Sequence, residues 1–115
     1  MDTKVFQQKS IIFREFETGQ EAFIIKSGLV EMSQAFTHNG EEKQKILAVL
    51  GPGEMFGEMA LIDNELRMAT ARAKSKEVTL QVISQRQFNI VLKDTNPFVK
   101  KMLEIEIGRI RSKET

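Results

Sequence analysis

The sequence predicts a mainly β protein, a jelly-roll or β-sandwich, that ends in two helices. Short runs of β-branched, aromatic or alternating apolar residues lie between residues 10 and 83, separated by turn residues. Two helix start signals follow this strand-rich part, which we call the β-body. With 115 residues, the chain has the size of one domain. We therefore expect a single domain over residues 1–115, with the β-body at about 10–83 and the helices at about 84–112.

The strands of the β-body are predicted from composition and alternation. Val78, Leu80 and Val82 alternate with polar residues, which is typical of a half-buried strand. Asn39-Gly40 indicates a hairpin turn. Residues 1–9 are mostly polar, and we expect a short helix or an arm there. The predicted strands cover residues 10–16, 22–26, 29–36, 45–50, 68–73 and 77–83. In the third, Val30, Met32 and Gln34 are expected on one face, and Leu29, Glu31 and Ser33 on the other.

Both C-terminal helices have recognisable start signals. Ser84 and Gln87 fit a capping box, and the helix that they begin should end near Asp94. Asn96-Pro97 is a second start signal. The last helix has a broad apolar face that is expected to cover the β-body, close over a ligand or pair with a second copy of the chain. This face consists of Phe98, Val99, Met102, Leu103, Ile105 and Ile110.

Composition argues against several classes of function. The net charge of +1 does not favour nucleic acid or an anionic membrane as a partner. The chain has no cysteine, which excludes disulfides and thiolate metal sites, and no signal peptide is visible, so a cytoplasmic location is expected. His38 lies at the predicted hairpin tip, and Asp63 and Glu65 are expected to be solvated. We therefore predict no enzyme activity, no catalytic or metal-binding residues and no cofactor.

The segment from residue 51 to residue 73, the central segment, has the outline of an anion site. Gly51-Pro52-Gly53 is a turn, and residues 56–61 suggest one helical turn whose first amides are unpaired. Arg67 follows a polar loop and precedes a strand of small residues. A helix N-terminus with an arginine returning beside it can hold an anion. The competing interpretation is a surface ion pair between Glu58 and Arg67.

The central segment resembles the phosphate-binding cassette of cyclic nucleotide-binding domains. The resemblance lies in the run FGEMAL, in Arg67 nine positions after Glu58 and in the small-residue strand that follows. This family includes the cAMP receptor proteins of bacteria, the regulatory subunits of protein kinase A and cyclic nucleotide-gated channels. Upstream, IFREFETG and FIIKSGLVE match the first strands of the family, so the likeness covers about residues 10–93. It implies the family's double-stranded β-helix fold.

The resemblance also implies a ligand site. Arg67 would bind the cyclic phosphate, and Glu58 would accept a hydrogen bond from the ribose 2′-hydroxyl. The base would pack on Ile46, on Val49 or on a residue of the last helix. The implied ligand-binding residues are Phe56, Gly57, Glu58, Met59, Ala60, Leu61, Arg67, Met68 and Ala69.

Two residues depart from the family pattern. Leu66 precedes the arginine where proline is frequent, so the loop is less restricted. Met68 follows it where members that prefer cGMP often have Thr or Ser nearby. Because Met68 offers no hydroxyl to a guanine, cAMP is the expected ligand.

The resemblance implies a non-catalytic sensor. Bound nucleotide would draw the central segment inward, Leu61 would act on a hinge at residues 91–97, and residues 98–111 would form a lid. Expected partners are the nucleotide, an unidentified effector protein and a second copy of the chain bound through the last helix. Alternatives are an interaction domain that binds no nucleotide, and the sensor part of a transcription factor without its DNA-binding domain.

Overall fold

The computed structural model describes residues 2–114, which form two four-stranded antiparallel sheets and three helices. The strand orders are β1-β8-β3-β6 and β2-β7-β4-β5. This confirms the predicted mainly β fold with C-terminal helices. The elements are β1 (Asp2–Gln7), β2 (Ile11–Phe13), β3 (Glu21–Ser27), β4 (Val30–His38), β5 (Glu41–Leu50), β6 (Met55–Phe56), α1 (Glu58–Asp63), β7 (Thr70–Ala73), β8 (Glu77–Ser84), α2 (Gln85–Lys93) and α3 (Pro97–Glu114).

The N-terminal segment is a strand, so the predicted short helix or arm at residues 1–9 is wrong over its described part. Strand β1 pairs antiparallel with β8, and Asp2 lies opposite Val82. The pairing gives β8 a neighbour on each side, since β3 pairs with its other edge. The β-body therefore begins at β1 rather than near residue 10. A polar sequence carries little periodic signal, and the backbone of β8 decides its conformation.

The hairpin of β4 and β5 has the predicted turn, but the side chains of β4 are not distributed over the two faces as predicted. Asn39 and Gly40 both have positive φ, 51° and 78°, as a two-residue hairpin turn requires. The ladder shifts register between Met32 and Ser33. Ser33 is buried, as Val30 is, although strict alternation predicted opposite faces for them.

The hydrophobic core lies within the β-body. Phe23 and Phe56 stack with their ring centroids 5.2 Å apart, and the ring of Phe13 lies 5.9 Å from that of Phe56. The aliphatic residues Ile25, Val30, Val78 and Leu80 are fully buried beside the rings, and they come from both sheets. The core thus supports the inner face of the central segment.

Both predicted helix starts are confirmed. The capping box of α2 is complete, with Ser84 Oγ accepting from Gln87 N at 3.1 Å and Gln87 Oε1 from Ser84 N at 2.9 Å. At α3, Asn96 Oδ1 accepts from Phe98 N at 2.8 Å. The apolar face predicted for the last helix is exposed, and Ile107 is the α3 residue whose side chain is buried in the described part of that helix. Within residues 2–114, no helix is both long enough and apolar enough to cross a membrane.

Candidate functional site

A cavity of about 230 Å³ lies against the central segment. Its wall is mostly apolar, with Glu58, Arg67 and Arg111 as the charged residues. Phe13, Met32 and Met55 contribute from the strands. All but one of the predicted ligand-binding residues lie in this wall, namely Phe56, Gly57, Glu58, Met59, Ala60, Arg67, Met68 and Ala69. The fold therefore brings the residues of the central segment to a single concave surface.

Leu61 is the predicted site residue that does not line the cavity. Its side chain is buried, and its carbonyl oxygen accepts a hydrogen bond from Gln85 Nε2 at 3.0 Å. This bond joins the end of α1 to the start of α2. The main chain of Leu61 thus links α1 to the start of α2, whereas the predicted contact of Leu61 with a hinge at residues 91–97 stays a prediction.

Arg67 is buried, with only 5% of its surface exposed. Its Nη1 donates to the carbonyl oxygen of Gly57 at 2.7 Å, and its Nη2 donates to that of Glu21 at 2.6 Å. The guanidinium carbon lies 4.0 Å from the ring centroid of Phe13, a cation–π contact. Arg67 Nε is buried without a hydrogen-bond partner. A buried cation with a free donor has the chemistry to bind an anion.

Two glycines make room for this guanidinium. A Cβ on Gly19 would lie 2.5 Å from Arg67 Cζ and 2.6 Å from Nε. A Cβ on Gly57 would lie 2.8 Å from Nη1, and Gly57 also has a φ of 81°, which side chains disfavour. The backbone therefore approaches Arg67 from two sides at distances that only glycine allows.

The pKa of Arg67 is lowered overall, and burial is the largest cause. The carboxylates of Glu21, Glu17 and Glu58 act in the opposite direction. Both terminal nitrogens donate to backbone carbonyls rather than to Glu58. The alternative of a surface ion pair between Glu58 and Arg67 is therefore wrong, because the arginine is buried and bound elsewhere.

The backbone around Arg67 is held by the turn between β2 and β3. Arg67 N donates to the carbonyl oxygen of Glu17, and Phe16 N donates to that of Arg67, both at 2.8 Å. Phe16 adopts a left-handed φ of 71°, which is unfavourable for a bulky residue. The paired hydrogen bonds fix the position from which the Arg67 side chain enters the site.

Sequence reasoning missed Arg111 and misplaced Asp63. Arg111, on α3, lines the same cavity. Its Nε and Nη2 donate to Asp63 Oδ2 and Oδ1 at 2.6 and 3.1 Å, and its Nη1 donates to the carbonyl oxygen of Leu66 at 2.9 Å. Asp63 is consequently half-buried in an ion pair rather than solvated. A pairing between residues 48 positions apart has no local signal in the sequence.

The residues proposed for the base also differ from the observed wall. Ile46 and Val49 are exposed, and the cavity is lined instead by Leu47, Ala48 and Leu50. The register shift in the β4–β5 ladder lies at this place, with Met32 opposite Ala48 and Ser33 opposite Ile46. The extra residue of a bulge changes which side chains share a face, and simple alternation cannot predict it.

No group of acidic or histidine side chains within the described range 2–114 could hold a metal ion. His38, which was expected at the hairpin tip, lies there and is exposed.

The comparisons of this chain with known proteins agree on one family. The family model for the cyclic nucleotide-binding domain matches residues 3–95. The cGMP-dependent protein kinase 2 of Homo sapiens is 32% identical over 89 residues, which are 77% of this chain and 11% of the kinase. The cyclic AMP receptor protein of Thermus thermophilus is 40% identical over 70 residues, 61% of this chain and 31% of that protein.

Solved structures agree with these relatives. The cAMP-bound form of EAL enzyme Bd1971 is 34% identical and superposes with a TM-score of 0.85, covering 97% of this chain and 29% of that chain. Its cGMP-bound form gives a TM-score of 0.82. The chain thus spans only about a tenth to a third of the length of these relatives. The matched family model and the shared fold lead to one conclusion: the chain belongs to the cyclic nucleotide-binding domain family.

Proposed function

We propose that the chain binds a cyclic nucleotide, cAMP in preference to cGMP, and acts as a non-catalytic regulatory module. The observation that carries the proposal is Arg67. It is a buried cation with an unpartnered Nε, beside a cavity whose other walls are mostly apolar. A cyclic nucleotide has the matching parts, since it joins a singly charged phosphate to a flat and largely apolar base.

Each part of the ligand has a proposed partner. Arg67 binds the cyclic phosphate through its guanidinium, which would exchange its present acceptors, the carbonyl oxygens of Gly57 and Glu21, for phosphate oxygens. Glu58 accepts a hydrogen bond from the ribose 2′-hydroxyl, since it lines the same cavity from the first turn of α1. The base packs against the apolar wall formed by β5 and the methionines. The remaining predicted residues of the central segment shape the surface around the phosphate and ribose.

The preference for cAMP is argued from the polar groups of the wall. No Ser or Thr from the described residues lines the cavity, and Met68 follows Arg67. Guanine carries a carbonyl and an amino group on its edge that would lose water without a hydroxyl partner. Adenine has fewer such groups to satisfy. Relatives named for either nucleotide resemble this chain, so the ratio of affinities needs a direct measurement.

Calorimetric titration with cAMP and cGMP tests both statements. Arg67→Lys is the informative variant because it keeps the charge and loses the planar fork. Arg72→Lys, an exposed position on β7, is the matched control. We expect cAMP to bind more tightly than cGMP and Arg67→Lys to weaken both by roughly 2 to 5 kcal/mol, while the control leaves binding unchanged.

Two results would contradict the proposal. Absence of binding heat with either nucleotide at millimolar concentration would favour the interaction domain that binds no nucleotide. Equal losses in the Arg67→Lys and Arg72→Lys variants would show that Arg67 is not the phosphate ligand. Thermal unfolding of each variant without nucleotide separates a folding defect from a binding defect.

The regulatory part of the proposal concerns movement of α2 and α3. Gln85 ties α2 to α1, and α3 contacts α1. Bound nucleotide can shift these helices only if it binds one arrangement more tightly than another. We expect cAMP to slow amide exchange in residues 98–111. Equal exchange with and without cAMP would contradict the lid.

The exposed apolar face of α2 and α3 supports a protein partner. Ile90, Val91 and Phe98 are among its most exposed large hydrophobic residues. Such a patch is typical of an interaction surface. We propose that it binds a second copy of this chain or an effector protein in the cytoplasm. Sedimentation equilibrium distinguishes the two, since only self-association raises the mass of the purified chain. A DNA-binding domain in the intact protein would favour a transcription factor.

A further inference from the structure

The side chain of Arg111 joins two parts of the molecule that are distant in sequence. It comes from the last turns of α3, and its partners, Asp63 and Leu66, lie at the two ends of the loop between α1 and Arg67. Three of its nitrogens donate, two to the Asp63 carboxylate and one to the Leu66 carbonyl oxygen. This forked arrangement sets both distance and orientation.

The loop that Arg111 holds has little other restraint. Asp63 Oδ1 also accepts from Glu65 N at 3.0 Å, a local turn, and Asn64 has a left-handed φ of 57°. Leu66 has none of the restriction on φ that a proline would impose. Contacts from outside the loop must therefore define where it lies, and Arg111 supplies them at both ends.

The position of this loop determines where the Arg67 backbone begins. The carbonyl of Leu66, which accepts from Arg111, belongs to the same peptide group as Arg67 N. That N donates to the carbonyl oxygen of Glu17. A single peptide group is thus held by α3 on one side and by the β2–β3 turn on the other. Displacing α3 would remove one of these two contacts.

The attachment of α3 also depends on this ion pair. Ile107 is buried, but most large apolar residues of the described part of α3 are exposed. The side chains of Arg111 and Asp63 are only 18% and 17% exposed. A half-buried, bidentate pair contributes more than an exposed one, such as Arg109 with Glu106 on the same helix.

We propose that Arg111 is a positioning residue of the ligand site. Its contacts with Asp63 and Leu66 hold α3 and the loop before Arg67 as one unit, so that the placement of the helix and the placement of the anion-binding arginine are coupled. The link between α3 and the loop stands on its own geometry. Its effect on ligand affinity rests on the proposed function.

The experiment compares three single variants of the full chain and the double variant that combines Arg111→Met with Asp63→Asn. Arg111→Met keeps a long side chain but removes every donor. Asp63→Asn removes the charge and keeps an oxygen that can accept from Glu65 N. Arg109→Met is the matched control, because Arg109 is exposed and pairs with Glu106 on the same helix. Amide exchange is measured without nucleotide in residues 63–67 and 103–113, and cAMP affinity is then measured by calorimetry.

We expect faster exchange in both segments for Arg111→Met and Asp63→Asn, and wild-type exchange for Arg109→Met. The affinity for cAMP should fall about tenfold in each of the first two variants. The double variant should lose little more than Arg111→Met alone, because both changes remove the same ion pair.

Unchanged exchange in Arg111→Met would overturn the link between α3 and the loop. Faster exchange with wild-type cAMP affinity would overturn the positioning role. If the wild-type chain binds no cyclic nucleotide, the proposed function fails instead, and the exchange measurement still decides whether Arg111 holds helix and loop together.

Discussion

The β-body and the two C-terminal helices are stabilised in different ways. The aliphatic and aromatic core lies between the two sheets, with Ile25, Val30, Val78 and Leu80 at 1% exposure or less. On α2 and α3 the large apolar side chains mostly face outward, and Phe98 is 72% exposed. Apolar burial therefore stabilises the β-body, whereas the placement of the helices depends mainly on polar contacts.

These polar contacts lie at defined points. The capping box begins α2, Gln85 bonds to the Leu61 carbonyl, and Arg111 pairs with Asp63. Each contact is worth about 0.5 to 3 kcal/mol, which a ligand that prefers one helix placement can outweigh. The site is therefore built mainly on the part of the molecule that has the buried core, and the helices beside it are held by a few polar contacts.

The largest expected effect comes from one substitution made in both regions. Leu80→Ala should lower the free energy of unfolding by about 2 to 5 kcal/mol, because it leaves a cavity in a fully buried core. Leu103→Ala, on the half-exposed face of α3, should cost less than about 1 kcal/mol. Urea unfolding measures both. Equal losses of unfolding free energy in the two variants would contradict this difference, since they would indicate that α3 is packed as tightly as the β-body.

A smaller effect is expected at the edge of the β-body, where the site begins. Gly19→Ala places a Cβ 2.5 Å from Arg67 Cζ, so the guanidinium must move away from its carbonyl partners. We expect a loss of about 1 to 3 kcal/mol in the free energy of unfolding and weaker cAMP binding. Urea unfolding and calorimetry measure these changes. Wild-type affinity in a folded Gly19→Ala protein would show that the observed position of Arg67 is not needed for binding.

The smallest expected effect is a stabilisation within α3. A Cβ on Gly108 would meet no atom within 4 Å, and alanine is favoured over glycine in a helix interior. Gly108→Ala should stabilise α3 by about 0.5 to 1 kcal/mol and slow its amide exchange. The urea midpoint of the β-body should hardly change if the helix opens separately. If the urea midpoint of the β-body rises together with the protection of α3 from amide exchange, α3 and the β-body unfold as one unit.

Much of the fold could be predicted because its signals are local. Asn39-Gly40 specifies a hairpin turn, Ser84 and Gln87 cap each other across three residues, and Asn96-Pro97 begins α3. The central segment could be identified for the same reason, since Glu58 and Arg67 lie nine positions apart within one recognisable pattern. In each case the residues that determine the structure are neighbours in the chain.

The predictions that the structure contradicts concern residues whose conformation or burial depends on distant parts of the chain. Strand β1 exists because β8 offers it an edge, although its own residues show no clear period. Leu47 is the extra residue of β5 at the register shift, and it lines the cavity whereas Ile46 does not. Asp63 looked solvated because its partner, Arg111, lies 48 residues further along.

The sequence by itself therefore determined the class of fold, the helix starts and the residues of the central segment, since turns, caps and short motifs act over a few residues. Only the tertiary structure decided that Arg67 is buried between Gly19 and Gly57 with a free Nε, and that Arg111 ties α3 to the loop beside it. Burial and long-range pairing depend on which surfaces come into contact when the sheets pack together. Local sequence patterns do not determine these contacts.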